Sequence, residues 1–596
     1  MQAMEKIFSV DLRTLALFRV FAGIFIIIDL VTRSFSFTAF HTDQGLLPRY
    51  KSLGLLNPWQ FSIYLYNGQA FYAALLFIIA AVFGIMLIFG YKTRIATIVS
   101  FFLYVSLQNR NLQITQLSDN LLTNLLFWAM FLPLGARFSV DAALNKAEPG
   151  HNQYLSVASA AILFQAMFVY FFGALMKQAL PWHNGLAVYQ ILHWESYASP
   201  LGAWYRELPL IIPKSTTYFV YYVELLGPFL MFSPVFTVPL RLLVMALYFL
   251  LHMGFVFFLP GIGVFPFVSI ASILLFTPGC FWDWMSNKIT TPERKGIVIY
   301  YDRGCPFCYK TCLIFRTFFL LPSTPILPAQ DYPETYEIMQ EYNSWVVYDH
   351  KGGHYVRWEA VVFVLKNSFL FRPLSFIFLT ERMKKIGDRL YETIAVNRDR
   401  LGRLFHSLLP LHSTDIAKRS RAAALLVICL FSVDLWFNMA SVGMVKVFPE
   451  YMQPVRYLMN IDPWGMFIRM PPEPANWYVM EGIRRDGRIV DVYNNTENPP
   501  SYDAPRSIFY TYKDYRWRKY LQHVQWKWKN KDDFGRYFCS AWNEGRPPED
   551  QIRQLKVYVN GKAYMPNIDK FNGGAEKFSY GKNLELYYDC EKGWVL

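Results

Sequence analysis

Two constellations in this sequence have the residue types and spacing to do chemistry. The first is YYDRGCPFCYKTC, Tyr300 to Cys312, in which two thiols flank a Pro-Phe pair and a third follows on the same helical face. A Cys-Pro-x-Cys opening a helix makes a reactive thiol. The first sulfur meets the partial positive charge of the helix N-terminus, which favours thiolate, and the second is close enough to form a disulfide with it. Cys305 and Cys308 are therefore the candidate catalytic thiols, and Cys312 is a possible auxiliary thiol. Zinc binding is the competing use of three cysteines at i, i+3 and i+7; no fourth ligand is obvious nearby, so no metal is expected.

The second constellation is FVYFFGALMKQALPWHNG, where Lys177 ends an aromatic, apolar run and is followed by Pro181, Trp182 and His183. Burial favours the neutral amine of a lysine, which can then act as a base. The bland alternative is a lysine that snorkels to water from a helix end. Other ionisable groups stand inside apolar runs, where charge is expensive and function or pairing must explain it: Arg19, Asp29, Asp119, Glu224 and His252. Arg19 and Asp29 read as structural polar groups, whereas Asp119 and Glu224 stay open between ion pairing and function.

The elements that must position these groups are mostly membrane helices. The chain has 596 residues, 54% hydrophobic and only 17% charged, which is too apolar for an ordinary soluble enzyme. Crossing the hydrocarbon core takes roughly 20 apolar residues. Eight such runs precede the cysteine motif, at about 13–31, 70–90, 94–108, 121–136, 154–176, 216–236, 240–259 and 262–284, and a ninth follows at 422–445. The fold class expected is a predominantly α-helical polytopic membrane protein with a thioredoxin-like α/β domain and an exported mixed α+β C-terminal domain. No cleavable signal precedes the first run. The net charge of +14 is explained by basic residues flanking the spans, with nothing resembling a nucleic-acid-reading element.

Lysine and arginine gather on the cytoplasmic side of membrane spans. With the N-terminus inside, Lys92, Arg94, Arg137, Lys288, Arg294 and Lys295 fall inside, as does the block from Arg382 through Lys418 and Arg419 to Arg421. That block keeps the CPFC segment cytoplasmic and the ninth span exports 446–596. Cys539 and Cys590 then lie in an oxidising compartment where they are free to pair. In the exported segment, WYVMEGI, RIVDVYN, KVYVNGKAYM and NLELYYDC read as strands, and Trp526 and Trp528 are as easily core as contact residues.

Between Lys295 and about Asn367 the pattern turns soluble: GIVIYYD reads as a buried strand, CPFCYKTCLIFRTFFLL as a helix, and SWVVYDHKGGHYVRW as a hairpin. Asp302, Cys305, Cys308, the Asp349-x-x-Gly turn and Glu359-Ala360 resemble the DCC family of thiol-disulfide oxidoreductases. The resemblance covers 296–368 and implies a thioredoxin-like fold; 369–421 is expected as a basic cytoplasmic linker. Upstream, LALFRVFAGIFIIID, GYKTRIA, SDNLLTNLLFWAMFLPLGARFSVDAAL, YFFGALMKQALPWHNG and LLHMGFVFFLPGIGVFPFVSIASILLFTPGCFWDW resemble the HTTM family, the membrane part of vitamin K-dependent gamma-carboxylase, over residues 8–286. Met176 stands where the animal carboxylases carry the first of two lysines, and Ser118-Asp119-Asn120 replaces a His-containing approach to span four.

That resemblance implies a gamma-carboxylase-like enzyme in which a reduced, vitamin K-like quinone binds within the bundle. Lys177 would be the base, with Trp182, His252 and Asp119 as substrate- or quinone-binding residues. Membrane lipid and quinone are the implied partners, together with a protein substrate at the exported domain, and the expected location is a bacterial inner membrane. Two other classes stand beside this one. One is a membrane thiol–quinone relay run by the CPFC pair; the other is a non-catalytic scaffold or immunity factor.

Overall fold

The computed structural model describes residues 2–147, 149–322, 324–416, 420–446, 448–469, 475–526, 531–566 and 575–595. Lys418, Arg419 and Trp528 lie outside the described residues, as does the side chain of Trp526.

Helices form at every one of the nine apolar runs. In chain order these are α1 (Leu12–Ser34), α2 (Ala70–Phe89), α3 (Thr93–Arg110), α4 (Leu117–Ala129), α5 (Val157–Met176), α6 (Ile211–Met231), α7 (Thr237–Phe258) and the pair α8 (Phe265–Ile273) and α9 (Gly279–Ile289). The last is Arg421–Ser441, beyond the soluble insertion. Their starts are set by local chemistry: Asp11 caps α1 by accepting from the Arg13 N–H at 2.9 Å, and Ser156 and Ser159 cap α5 reciprocally.

Among the described residues five helices are long and apolar enough to cross a membrane: α1, α2, α5, α7 and Arg421–Ser441. A sixth arises if Phe265–Phe276 and α9 count as one span bent by 90°. Of the expected eight spans plus a ninth, five or six are candidates by length and composition, and the others fall short for identifiable reasons. The 13 residues of α4 extend about 20 Å against a hydrocarbon core of about 30 Å. Helix α3 ends in Gln108, Asn109 and Arg110, all buried in protein, and α6 carries Lys214 and Glu224. Pro278, which lacks an N–H and restricts the residue before it, stands at the break before α9.

The helix beyond the insertion belongs to the same bundle. Phe431 packs against Phe164 and Phe168 of α5 at 5.5 and 6.0 Å and against Trp128 of α4 at 6.0 Å. A two-residue strand β1 (Val10–Asp11), paired with β2 (Gln153–Tyr154), ties the start of α1 to the start of α5.

The insertion is built on a mixed four-stranded sheet in the order β4-β3-β5-β6. Its strands are β3 (Val298–Tyr301), β4 (Ile326–Pro328), β5 (Val346–Tyr348) and β6 (His354–Val356); β3 is parallel to β4 and antiparallel to β5. The β5–β6 hairpin turns at Gly352, whose φ of +83° is open to glycine and costly to other residues. Between β3 and β4 runs α10 (Pro306–Phe318).

The segment expected as a linker is folded. Its helices α11 (Glu381–Val396) and α12 (Arg398–Leu408) close the domain. The Tyr391 hydroxyl accepts from the Trp345 N–H at 3.2 Å, Phe405 packs on Phe307 at 5.3 Å, and Lys310 Nζ donates to the Phe405 carbonyl at 3.2 Å. Arg382, Lys384, Lys385, Arg389, Arg400 and Arg403 stay exposed on the outer face of this helical pair.

The C-terminal region is an antiparallel sheet ordered β11-β10-β9-β7-β8, formed by β7 (Ala475–Arg484), β8 (Ile489–Asp491), β9 (Ile552–Pro566), β10 (Ala575–Asp589) and β11 (Trp594–Val595). Helices α13 (Tyr515–Trp526) and α14 (Lys531–Asn543) accompany it, and a disulfide joins Cys539 on α14 to Cys590 just past β10, with Cα atoms 5.7 Å apart.

The two soluble regions sit at opposite ends of the bundle. Where α1 begins and α2 finishes, Phe89 packs on Phe318 at 5.8 Å and the Tyr91 hydroxyl donates to the Leu408 carbonyl at 2.8 Å. There Asn145 also bridges to His412, and its side chain bonds both the N–H and the carbonyl of Thr414 at 3.0 and 2.9 Å. Where α1 finishes, Trp517 Nε1 donates to Ser36 Oγ at 2.7 Å and Phe40 packs on Trp517 at 4.9 Å.

At this second end Arg516 reaches into the bundle. It bonds Asp29 at 2.5 Å and Asp119 at 2.9 Å, while Arg33 bonds Asp29 at 2.7 Å and lies 3.5 Å from Asp119. Two carboxylates and two guanidiniums, all buried, balance in charge, and the Tyr104 hydroxyl lies between the acids at 3.0 and 3.1 Å.

Candidate functional site

Helix α5 ends at Lys177 because Pro181 follows within one turn, where a continuing helix would lose a hydrogen bond and clash. The chain turns back through Leu180–His183, which lays the Trp182 ring 4.9 Å from Lys177 Nζ. The lysine does not snorkel: it is 4% exposed and forms an ion pair with Glu224 of α6, itself 5% exposed. Trp182 Nε1 donates to the Phe467 carbonyl at 2.8 Å, so the ring that covers the amine is pinned by the segment following the last long helix.

On the far side of this pair, His252 of α7 is fully buried, and its Nε2 lies 2.7 Å from the Tyr170 hydroxyl of α5. Tyr170 stacks on Tyr248 with centroids 4.0 Å apart. Gly227 makes room for this stack, since a Cβ there would lie 2.4 Å from the Tyr248 hydroxyl oxygen. His252 Nδ1 is buried without a hydrogen-bond partner among the described residues.

Two small cavities touch Lys177 and Glu224. One, of about 30 Å³, is walled by Trp182, Val220, Phe255, Met466 and Phe467. The other, of about 10 Å³, reaches Tyr170, His252, Phe265, Trp464 and Met466. A chamber of about 1120 Å³ between the bundle and the C-terminal region shares Met466, Phe467, Leu117 and Phe265 with them. Met466 therefore borders all three spaces. Phe467 beside it holds a φ of +57°, strained for a non-glycine residue, of the kind that tertiary packing retains at functional sites.

The structure thus brings Lys177, Trp182 and His252 to one site and adds Glu224 and Tyr170. Asp119 is not in that site; it caps α4 by accepting from the Gln116 N–H at 2.8 Å and binds Arg33 and Arg516. The residues that sequence reasoning missed are Tyr170, one of several aromatics in its run, and Trp464 to Phe467. The only signal of Trp464 to Phe467 was an apolar Trp-Gly-Met-Phe stretch between Asp462-Pro463 and Arg469.

The CPFC site lies at the other end of the bundle. Cys305 is the N-cap of α10, its Sγ accepts from the Cys308 N–H at 3.2 Å, and the two cysteines form a disulfide with Cα atoms 5.3 Å apart. Asp302 shapes the approach: its carboxylate accepts from the Gly304 N–H at 2.9 Å and from Gln330 Nε2 at 2.7 Å, and its carbonyl accepts from the Cys305 N–H at 3.0 Å. Cys312 is 2% exposed in the domain core with Ile297, Ile299 and Trp345, and burial pushes its thiol up to about 12. It is packing material at neutral pH, not a partner for the surface pair.

Residues 8–284 match the HTTM domain family, and residues 299–404 match the DCC1-like thiol-disulfide oxidoreductase family. The second match runs through α11 and into α12, in keeping with their packing on the domain. No curated protein and no solved structure significantly matches the chain. The chain thus carries an HTTM domain over residues 8–284, followed over residues 299–404 by a DCC1-like thiol-disulfide oxidoreductase domain that is held against one end of the first.

Proposed function

We propose that the HTTM domain is a gamma-carboxylase-like membrane enzyme that oxidises a reduced quinone with oxygen and couples this to modification of a protein or small substrate. The observation that carries the proposal is the buried Lys177–Glu224 pair, covered by Trp182 and facing apolar cavities that His252 and Tyr170 wall on the other side.

The donor set suits a flat ring with oxygen atoms at its edges: an amine–carboxylate pair, an unpartnered His252 Nδ1, and aromatic walls. Cavities of about 30 and 10 Å³ hold no such ring, so its admission requires Met466 and Phe467 to move. A reduced quinone supplies an acidic hydroxyl and two electrons. Glu224 can take a proton from the Lys177 ammonium, leaving Nζ as a free amine able to accept a hydroxyl proton. Trp182 holds that nitrogen in place, and His252, whose Nε2 is engaged by Tyr170, has Nδ1 left to orient a ligand oxygen. The apolar walls keep water from reprotonating the amine.

The test is oxygen uptake with quinone or epoxide formation by the purified full chain in nanodiscs supplied with reduced naphthoquinone. Turnover above empty nanodiscs is expected. None with any quinol would leave the scaffold reading.

A thiol-redox role for the inserted domain is favoured by a separate observation, the Cys305–Cys308 pair at the N-terminus of a helix that follows a strand of the mixed four-stranded sheet. Its cytoplasmic side is inferred from the basic face of α11 and α12. After mild reduction, a membrane-impermeant maleimide is expected to label Cys305 before Cys308, only once cells are permeabilised, and to leave Cys312 unmodified until unfolding. Labelling from outside intact cells would invert the topology; equal rates at Cys305 and Cys308 would remove the attacking role of Cys305.

A further inference from the structure

The chamber of about 1120 Å³ is built from remote parts of the chain: the loop 55–60, the approach to α4 and its start, Trp194 and Tyr197, Ile262 and Phe265, the segment 456–469, and α13. Its charge is one-sided. Arg456, Arg469, Arg518 and Lys519 line it against a single carboxylate, Asp462. That carboxylate is already engaged, by Arg456 at 3.2 Å and by Asn120 Nδ2 at 3.0 Å. Among the described residues, no acid lining the chamber forms an ion pair with Arg469 or Arg518.

Arg518 is the most telling of the four. It is 2% exposed, yet it bonds no carboxylate among the described residues: Nη1 donates to the amide oxygen of Gln522 at 2.8 Å, its plane lies 3.7 Å from the centre of the Tyr197 ring, and Nε has no partner. A buried guanidinium without a counter-ion is costly, and a site that keeps one is arranged for an anion brought from outside. The remaining lining is apolar, with Trp194, Ile262, Phe265, Met466 and Phe467 on the side toward the Lys177 cavities.

We propose that this chamber binds an anionic amphiphile, its carboxylate or phosphate held by Arg518, Lys519 and Arg469 and its apolar body laid against the Phe265–Met466 wall. The volume is at the upper limit of small-molecule sites, which suits a ligand with a chain as well as a head. The head could belong to a bilayer lipid or to a diffusible acyl or isoprenyl compound. This binding does not depend on the base role of Lys177.

Dodecyl phosphate is the probe, titrated calorimetrically into the full chain in phosphatidylcholine nanodiscs. Saturable one-to-one binding is expected, weakened about tenfold or more by Arg518→Gln and by Lys519→Gln, as for the loss of one charge-assisted hydrogen bond. Arg518→Lys should weaken it less. Arg485→Gln, which removes an exposed charge elsewhere in the same region, should leave it unchanged. If Arg518→Gln does not fold, Lys519→Gln and Arg469→Gln decide the matter. Nanodiscs containing phosphatidylglycerol separate the sources: competition with dodecyl phosphate assigns the head to a lipid, and its absence to a diffusible compound. Equal affinity for dodecyltrimethylammonium or for inorganic phosphate, or undiminished binding in the lysine and arginine variants, would overturn the proposal.

Discussion

Lys177→Arg is expected to insert and fold yet lose quinol oxidation by about 100-fold or more, the lower end for removing a positioned base. A guanidinium can still pair with Glu224 and satisfy the buried carboxylate, but it stays protonated and cannot accept a proton. That separates the base role from the structural one more cleanly than Lys177→Ala, which should lose as much activity but also strands Glu224. Glu224→Gln keeps the shape of the pair while removing the proton acceptor, and should fall toward the same level. His252→Ala should lose less, since orienting a ligand oxygen is not proton transfer. Oxygen uptake with reduced naphthoquinone reads all four. Unchanged activity in Lys177→Arg would end the base assignment, whatever the others show.

The largest effect on stability is expected at Arg516. Arg516→Met leaves Asp29 and Asp119 facing each other with only Arg33 between them, and breaking such a buried pair costs about 3–5 kcal/mol. Arg516 is also the charge by which the C-terminal region enters the bundle, so the loss should appear as that region coming away. Limited proteolysis in detergent should cut faster around α13, and the thermal transition should fall. Replacing the acids as well, with Asp29→Asn and Asp119→Asn, should recover part of the loss, because matched neutral groups no longer strand a charge. If Arg516→Met alone unfolds no more easily than the unaltered chain, the cluster contributes nothing to docking.

What the sequence made legible was local. The strand, the cysteine pair and the helix of the CPFC site lie within about twenty residues, so turn and helix rules suffice to place them. The Lys351-Gly352-Gly353 hairpin was readable for the same reason. The roles of the ionisable membrane residues were not, because each is decided by a partner remote in the chain. Lys177 meets Glu224 across 47 positions, Trp182 is pinned by a carbonyl 285 positions away, and Asp119 is taken up by an arginine 397 positions away. The span count was legible only in part, for a related reason. Apolarity reports withdrawal from water, and α4 is withdrawn by other helices as much as by lipid.

The DCC1-like domain is moored at both ends of its chain. Its chain leaves α9 on one side, and on the other the Asn145–His412–Thr414 bonds fasten it again before the last long helix begins. A thioredoxin on a single flexible leash can carry its disulfide to several clients within the reach of the leash. A domain anchored fore and aft has no such orbit, so its clients must do the travelling. Under the proposed thiol-redox role, the Cys305–Cys308 pair is then a fixed berth: it serves what diffuses to that face of the bundle, and it stays separated from Lys177 by the whole length of α5, about 30 Å for 20 residues.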